Sequence, residues 1–244
     1  KKMFKIIKTN DYEEMSEKTY EVIREVVVNK PDCVLGLATG SSPIGTYQRL
    51  VKDHKENGTS YKKVTTFNLD EYLGIPKTHP QSYWTFMHEN LFNYLDCPEE
   101  NIHVPADGPD KQKQCDLYEE SMKGYQVDIQ LLGIGTDGHI GFNEPGTSFD
   151  SLTHIADLKE STIKDNARLF FDNDISKVPT QAITMGIATV MKAKKIILVA
   201  SGKNKAKAIH DMINGPITED MPASILQKHP DVVIVVDKAA AELL

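Results

Sequence analysis

The sequence predicts a single α/β domain over residues 1–244, built as a Rossmann-like open parallel sheet with helices on both faces. The apolar runs CVLGLA (33–38), VTTFNL (64–69), VDIQLLGIG (127–135), KIILVA (195–200) and VVIVVD (232–237) are nearly continuous rather than alternating, as expected of strands covered on both sides. Longer amphipathic stretches separate them, and strands alternating with helices imply parallel pairing. At 244 residues the chain fits within the ~250 residues that α/β chains reach as one domain. No linker, low-complexity tract or internal repeat divides it.

In chain order, Phe4 to Lys8 reads as a first strand and Asp11 to Asn29 as a helix, with Asn10 or Asp11 as N-cap. After the strand at 33–38, a helix is expected from Pro43 to about His54. Its proline lies near the first turn, where the missing N–H costs nothing. Helices are expected over Gln81 to Leu95, Lys111 to Lys123, Thr180 to Ala193 and Lys203 to Asn214. A short helix is expected over Ala223 to Gln227, and a helical tail after 232–237. Asn143 to Val178 is the least regular stretch and a candidate lid.

Composition narrows the function. Apolar residues make up 40% and charged residues 26%, as in ordinary globular proteins. A net charge of −7 argues against a nucleic-acid partner, which needs a basic face, but it leaves room for one small anion in a local pocket. Cys33, Cys97 and Cys115 are odd in number and form no CxxC pair, which speaks against a disulfide framework and a thiolate metal site. No apolar run approaches the ~18 residues of a membrane span, and the start does not read as a signal peptide. The expectation is a cytoplasmic protein without a membrane partner.

Parallel α/β sheets bind ligands beyond the carboxyl ends of their strands. After 33–38 come Thr39-Gly40-Ser41-Ser42-Pro43, a small, hydroxyl-rich turn opening a helix. Free N–H groups and the helix dipole there suit a phosphate; a plain helix cap would need only one of the three hydroxyls. After 64–69 come Asp70 and Glu71, two acids at a strand end. After 127–135 come Thr136-Asp137-Gly138-His139, followed by Gly141 and Asn143-Glu144-Pro145. Gly133, Gly135 and Gly138 match a dinucleotide-binding spacing. However, Asp137 would repel a pyrophosphate, and no acid for a ribose follows about 20 residues on.

The loop therefore reads as a glycine-shaped support for Asp137, His139 and Glu144. A histidine between two carboxylates suits general acid/base work with its tautomer held; the alternative is a structural histidine. No second histidine supports a metal. After 195–200, Lys203 and Lys205 stand at a helix start, where cations oppose the dipole unless an anion joins them. Arg168, one of three arginines, could clamp phosphate or sit at an interface. A phosphate cradle, a base and a histidine relay, with no cofactor and no metal, suit proton transfer on a sugar phosphate.

The blocks LATGSSPIGTY (37–47), TFNLDEYLGI (66–75), LLGIGTDGHIGFNEPGTSF (131–149) and SGKNKAKA (201–208) resemble the glucosamine-6-phosphate deaminase family over nearly the whole chain. The related 6-phosphogluconolactonases share the Gly-Asp-Gly-His core but not FNEP. The resemblance implies conversion of glucosamine 6-phosphate and water to fructose 6-phosphate and ammonia. It implies Asp70 as the base moving a proton between C2 and C1, and His139 as the acid/base that opens the ring. Asp137 and Glu144 would orient His139; Thr39, Gly40, Ser41, Ser42, Arg168 and Lys205 would hold the 6-phosphate. Longer members are hexamers activated by N-acetylglucosamine 6-phosphate, with basic residues in the segment aligned with His154-Ile155-Ala156. Ala156 carries no charge, and the chain is shorter than those members. A short, unregulated form is expected, monomeric or weakly associated. The rivals are a 6-phosphogluconolactonase and a sugar-phosphate-sensing domain, the latter lacking any helix-turn-helix segment before Phe4.

Overall fold

The computed structural model describes residues 4–244; Lys1 to Met3 of the expected domain lie outside the described residues. Helix α1 (Tyr12–Asn29) starts where the Asp11 carboxylate accepts the Glu14 N–H at 2.8 Å, satisfying one of the orphan donors of the first turn. Its buried residues Met15, Thr19, Ile23 and Val27 recur every four positions, which forms the single apolar stripe a surface helix lays on a core.

Ten strands and seven α-helices follow one another through the described residues. The strands are β1 (Phe4–Thr9), β2 (Val34–Leu37), β3 (Thr65–Asn68), β4 (Asp70–Tyr72), β5 (Ile102–His103), β6 (Ile129–Leu132), β7 (His154–Asp157), β8 (Gln181–Thr184), β9 (Lys195–Ala200) and β10 (Val232–Asp237). The helices after α1 are α2 (Ile44–Asn57), α3 (Tyr83–Asn90), α4 (Lys111–Met122), α5 (Glu160–Phe170), α6 (Ile187–Met191) and α7 (Ala206–Asn214).

Seven strands form one sheet in the order β1-β10-β9-β6-β2-β3-β5, every pair parallel. Helices cover both sides, as the continuous apolar strands predict. Strands β2, β3, β6 and β10 are buried along their whole length. β1 lies at the sheet edge with Lys5 and Ile6 exposed, and a lysine there discourages further strand pairing. From β2 the chain runs outward through β3 to β5, then returns to β6 on the other side of β2 and continues to β9 and β10. The order thus reverses between β2 and β6. The loops leaving these two strands diverge and open a crevice.

Asp128 holds that junction at its other end. It is buried, and its carboxylate accepts the Val34 N–H at 2.7 Å and the Lys30 ammonium at 3.0 Å. Its own N–H donates to Val34 O at 2.8 Å. Burial opposes its ionisation, but the Val34 N–H and the Lys30 charge outweigh that and hold the carboxyl below its ordinary range.

A second sheet, β4-β8-β7, is antiparallel and pairs Asp70 and His154 with Thr184 from opposite sides. It corrects the expected helix over Thr180 to Ala193: Gln181–Thr184 is strand β8, and only Ile187–Met191 is helical. Pairing on both flanks overrides local helical pattern. Asn143 to Val178 is less irregular than its sequence suggests, since it contains β7 and α5. The long strand expected over 127–135 shortens to Ile129–Leu132, and the helix expected over Gln81 to Leu95 ends at Asn90 before a 3₁₀ turn. The stretches Lys203–Lys205 and Pro222–Lys228 are 3₁₀ rather than α. The tail after β10 forms turns, not a helix, with Ala240 N–H bonded to the Asp237 carboxylate. β4 and β5, of three and two residues, are too short to leave a periodic signal.

Asp128→Ala leaves the Val34 N–H, Lys30 and Lys194 without their partner, and is expected to cost ~1–3 kcal/mol in urea unfolding at neutral pH. Because the folded-state pKa is depressed, the wild-type advantage is present above the ordinary carboxylate pKa and fades as pH falls through the folded value. Unfolding midpoints of the two proteins measured from pH 7 to pH 2 check both statements.

Candidate active site

The crevice between the β2 and β6 loops is a cleft of ≈ 420 Å³ lined by Thr39, Gly40, Ser41, Ser42, Asp70, His139 and Lys205, with Tyr83 and Phe142 among its other walls. Of the residues singled out from the sequence, a larger surface hollow of ≈ 860 Å³ takes in only Glu71, and one of ≈ 590 Å³ takes in none. Asp70, His139 and Lys205 meet instead in the smaller cleft.

The turn after β2 reverses at Gly40, whose φ is +97°, a backbone conformation glycine adopts without steric cost. None of its hydroxyls caps α2: the N-cap position is Pro43 and carries no side-chain hydrogen bond. The phenol of Tyr12 instead fastens the turn, donating to Ser41 O at 2.6 Å and accepting the Gly45 N–H at 2.9 Å. The Thr39, Ser41 and Ser42 hydroxyls are not consumed by capping, which suits an anion at this helix start.

The two acids after β3 separate in role. Glu71 accepts the N–H groups of Tyr72, Tyr83 and Trp84 at 2.8–2.9 Å and so caps the first turn of α3. Asp70 lines the cleft and is only 7% exposed. Burial, reinforced by the neighbouring Glu71 charge, pushes its carboxyl up to about 8. An acid so placed takes and returns a proton near neutral pH.

The loop after β6 closes on itself, Gly135 N–H to His139 O at 2.9 Å and Gly138 N–H to Gly135 O at 3.0 Å. The imidazole lies over Gly135, where a Cβ would stand 2.1 Å from its Cε1. His139 Nδ1 is 2.7 Å from Asp137 Oδ1 and 3.1 Å from Glu144 Oε2. That fixes the proton on Nδ1 and leaves Nε2 for the cleft. Asp137 and Glu144 stand behind the ring rather than in the cleft lining. Lys159 completes the group, its ammonium 2.5 Å from Asp137 Oδ2 and 2.8 Å from Glu144 Oε1.

Lys205 reaches in from the 3₁₀ turn after β9, with its ammonium donating to Ile134 O at 2.6 Å. Burial lowers its pKa, and Asp137 partly offsets this. Lys203 is exposed outside the cleft. Asp237 at the end of β10 fixes this turn by accepting the Ser201 hydroxyl and the Gly202 N–H. Arg168 is not brought to the cleft. It is exposed on α5 and faces Asp165 at 3.5 Å, because α5 packs its Ile163 and Ala167 in a cluster with Phe171 and Val178 and turns Arg168 away from that cluster.

The family described as glucosamine-6-phosphate isomerases/6-phosphogluconolactonase matches residues 9–235. The chain belongs to this family. It is 48% identical to a glucosamine-6-phosphate deaminase of Thermoanaerobacter pseudethanolicus, over 98% of this chain and 95% of that one. It is also 48% identical to glucosamine-6-phosphate deaminase 2 of Bacillus subtilis, over 98% and 97%. A solved monomeric glucosamine-6-phosphate deaminase superposes with a TM-score of 0.93 at 43% identity, covering 98% of this chain and all of that one. A 6-phosphogluconolactonase from Trypanosoma brucei superposes with a TM-score of 0.83 at 21% identity, which shows a common fold.

In this family member, Asp137, His139 and Glu144 bring one ligand-type atom each to within 4.8 Å of one another, a spacing a metal ion could use. The positive charge both carboxylates hold is the Lys159 ammonium, so the three do not fit a metal in this arrangement. Sequence reasoning missed Lys159, Tyr83 and Phe142. The Tyr83 and Phe142 rings stack at 6.2 Å with 5° between planes, and Tyr83 hydrogen-bonds Thr39. Phe142 lies within the 131–149 block and Tyr83 a few residues beyond the 66–75 block, but neither spacing nor composition marks an aromatic as a cleft wall.

Gly135→Ala is expected to keep the fold and lower kcat by about 100-fold, the scale of a ~1 Å misplacement of a catalytic group. Circular dichroism and steady-state rates measured together check this.

Proposed function

We propose that the chain is a glucosamine-6-phosphate deaminase, converting glucosamine 6-phosphate and water to fructose 6-phosphate and ammonia. The observation that carries the reading is a buried carboxylate, Asp70, facing the same cleft as a carboxylate-held histidine and an uncapped hydroxyl turn. Near full-length identity to proteins of that name supports it. The site residues then take these roles. Thr39 to Ser42 and Lys205 hold the 6-phosphate and fix the sugar in the cleft. His139 donates a proton to the ring oxygen and takes one from the anomeric hydroxyl, which opens the ring and exposes the aldehyde. The carbonyl acidifies the C2–H, and Asp70 removes that proton to give an enolamine. Asp70 returns the proton to C1, leaving an imine at C2. Water adds to the imine carbon, and ammonia leaves as the ketone forms.

For Arg168 to contact the phosphate, α5 has to move toward the cleft. The small cluster of Ile163, Ala167, Phe171 and Val178, separate from the main core, supports a lid within 143–178 that shifts as one piece. The reaction runs in the cytoplasm on a monomer without an effector. Ala156 on β7 offers no cation to an effector phosphate, and a monomeric solved relative supports the same state. A hyperbolic rate curve, unchanged by N-acetylglucosamine 6-phosphate, is the expected result.

Ammonia and fructose 6-phosphate released in equal amounts from glucosamine 6-phosphate test the reaction. Cleavage of 6-phosphogluconolactone without ammonia would reassign the chain to lactone hydrolysis. Asp70→Asn is expected to bind substrate but lose turnover by ~10²–10⁴-fold, the range of general acid/base catalysis. The same variant tests the burial of the charge. Asp70 has a raised folded-state pKa, so wild-type stability falls as pH rises from the unfolded value to about 8 and then levels. Melting temperatures of Asp70→Asn are expected to exceed wild type by a margin that widens over that window.

A further inference from the structure

Lys159 immediately precedes α5, and its backbone is extended there (φ −63°, ψ 144°). Its neighbour Leu158 donates to Thr180 O at 2.9 Å, so the chain is pinned where the lysine departs. A cation at a helix N-terminus opposes the dipole. The side chain is also 50% exposed, and ion pairs in such settings contribute little to stability. Stability is therefore a poor account of an ammonium held by two carboxylates at once.

The place of that ammonium gives a better one. Asp137 and Glu144 each present one oxygen to His139 Nδ1 and the other oxygen to Lys159 Nζ. The carboxylates are sandwiched between imidazole and ammonium. Resting on the deaminase reading of this site, we propose that Lys159 is a positioning residue of the His139 relay, bridging Asp137 and Glu144 so that the imidazole stays neutral and exchanges its proton at Nε2.

The charges facing His139 are few. Its own loop supplies Asp137 and Glu144, the start of α5 supplies Lys159, the turn after β9 supplies Lys205, and β4 supplies Asp70 across the cleft. Without Lys159, two anions within 3.1 Å of one nitrogen favour an imidazolium that can no longer accept a proton from the anomeric hydroxyl. With it, one net negative charge remains behind the ring, enough to orient the Nδ1–H. Asp137 reports the same balance: burial opposes its ionisation, yet the Lys159 ammonium and the His139 N–H hold it far below the usual carboxylate range. The lysine also ties the segment carrying Arg168 to the catalytic loop, an ion-pair link that backbone contacts do not provide.

The test uses the full chain and the variants Lys159→Gln and Lys159→Arg. The His139 imidazole is titrated by NMR without substrate, and kcat/KM for ammonia release is followed against pH. Lys159→Gln is expected to raise the His139 titration by about one unit and to move the acidic limb of the rate profile with it. On that limb kcat then falls about tenfold while KM changes little, since Lys159 stays outside the cleft lining. Lys159→Arg restores both. A folded Lys159→Gln whose His139 titrates as in wild type overturns the proposal, as does a shifted titration with an unmoved rate profile. If the wild type releases no ammonia, the deaminase reading fails, while an unshifted NMR titration would separately remove the role of Lys159.

Discussion

A parallel sheet whose strand order reverses cannot cover the ends of its two central strands with one loop. In this chain that constraint falls between β2 and β6, and the rest of the site depends on it. The turn at Thr39 to Ser42 and the loop at Gly135 to Glu144 leave in opposite directions, so their polar groups face each other across open space. Asp128 ties the two strands together at their start through the Val34 N–H. Lys205 then enters from β9 and Asp70 from beyond β3, so four strand ends converge on one small volume.

Into that volume the fold puts a carboxylic acid that water would otherwise ionise. The exposure of Asp70 is so low that its charge is costly, and the adjacent Glu71 adds to the cost. Burial raises the Glu71 pKa, and the N–H groups it caps at α3 oppose that rise, so one acid is satisfied by backbone while its neighbour is left for chemistry. The second carboxylate pair, Asp137 and Glu144, is handled differently. Its oxygens are shared between the His139 Nδ1 and the Lys159 ammonium. The result is an acid poised near neutrality on one wall and, on the other, an Asp137 held well below the usual carboxylate range, set by solvent access and neighbours rather than by residue type.

Much of this was legible in the chain. The five long apolar runs became five central parallel strands, because continuous burial leaves a pattern that needs no partner to recognise. The cleft residues Thr39 to Ser42, Asp70, His139 and Lys205 were legible through their position just after those strands. The short strands were not. β4, β7 and β8 exist through antiparallel pairing with one another, and β8 lies in a stretch whose local pattern favours helix. α5 escaped because ESTIKDNARLF is mostly polar and buries Ala167 alone.

The sequence by itself determined the sheet class, the places where chemistry gathers and, through its motifs, the family. Each is written in local order along the chain. Only the tertiary structure decided which of two adjacent acids, Asp70 or Glu71, faces the cleft, since that depends on where α3 begins. It also decided that Lys159 joins the histidine relay and that Arg168 stands outside the cleft. Lys159 lies 20 residues beyond His139 in the chain, and the packing of α5 alone brings its ammonium to the carboxylates while turning the arginine away.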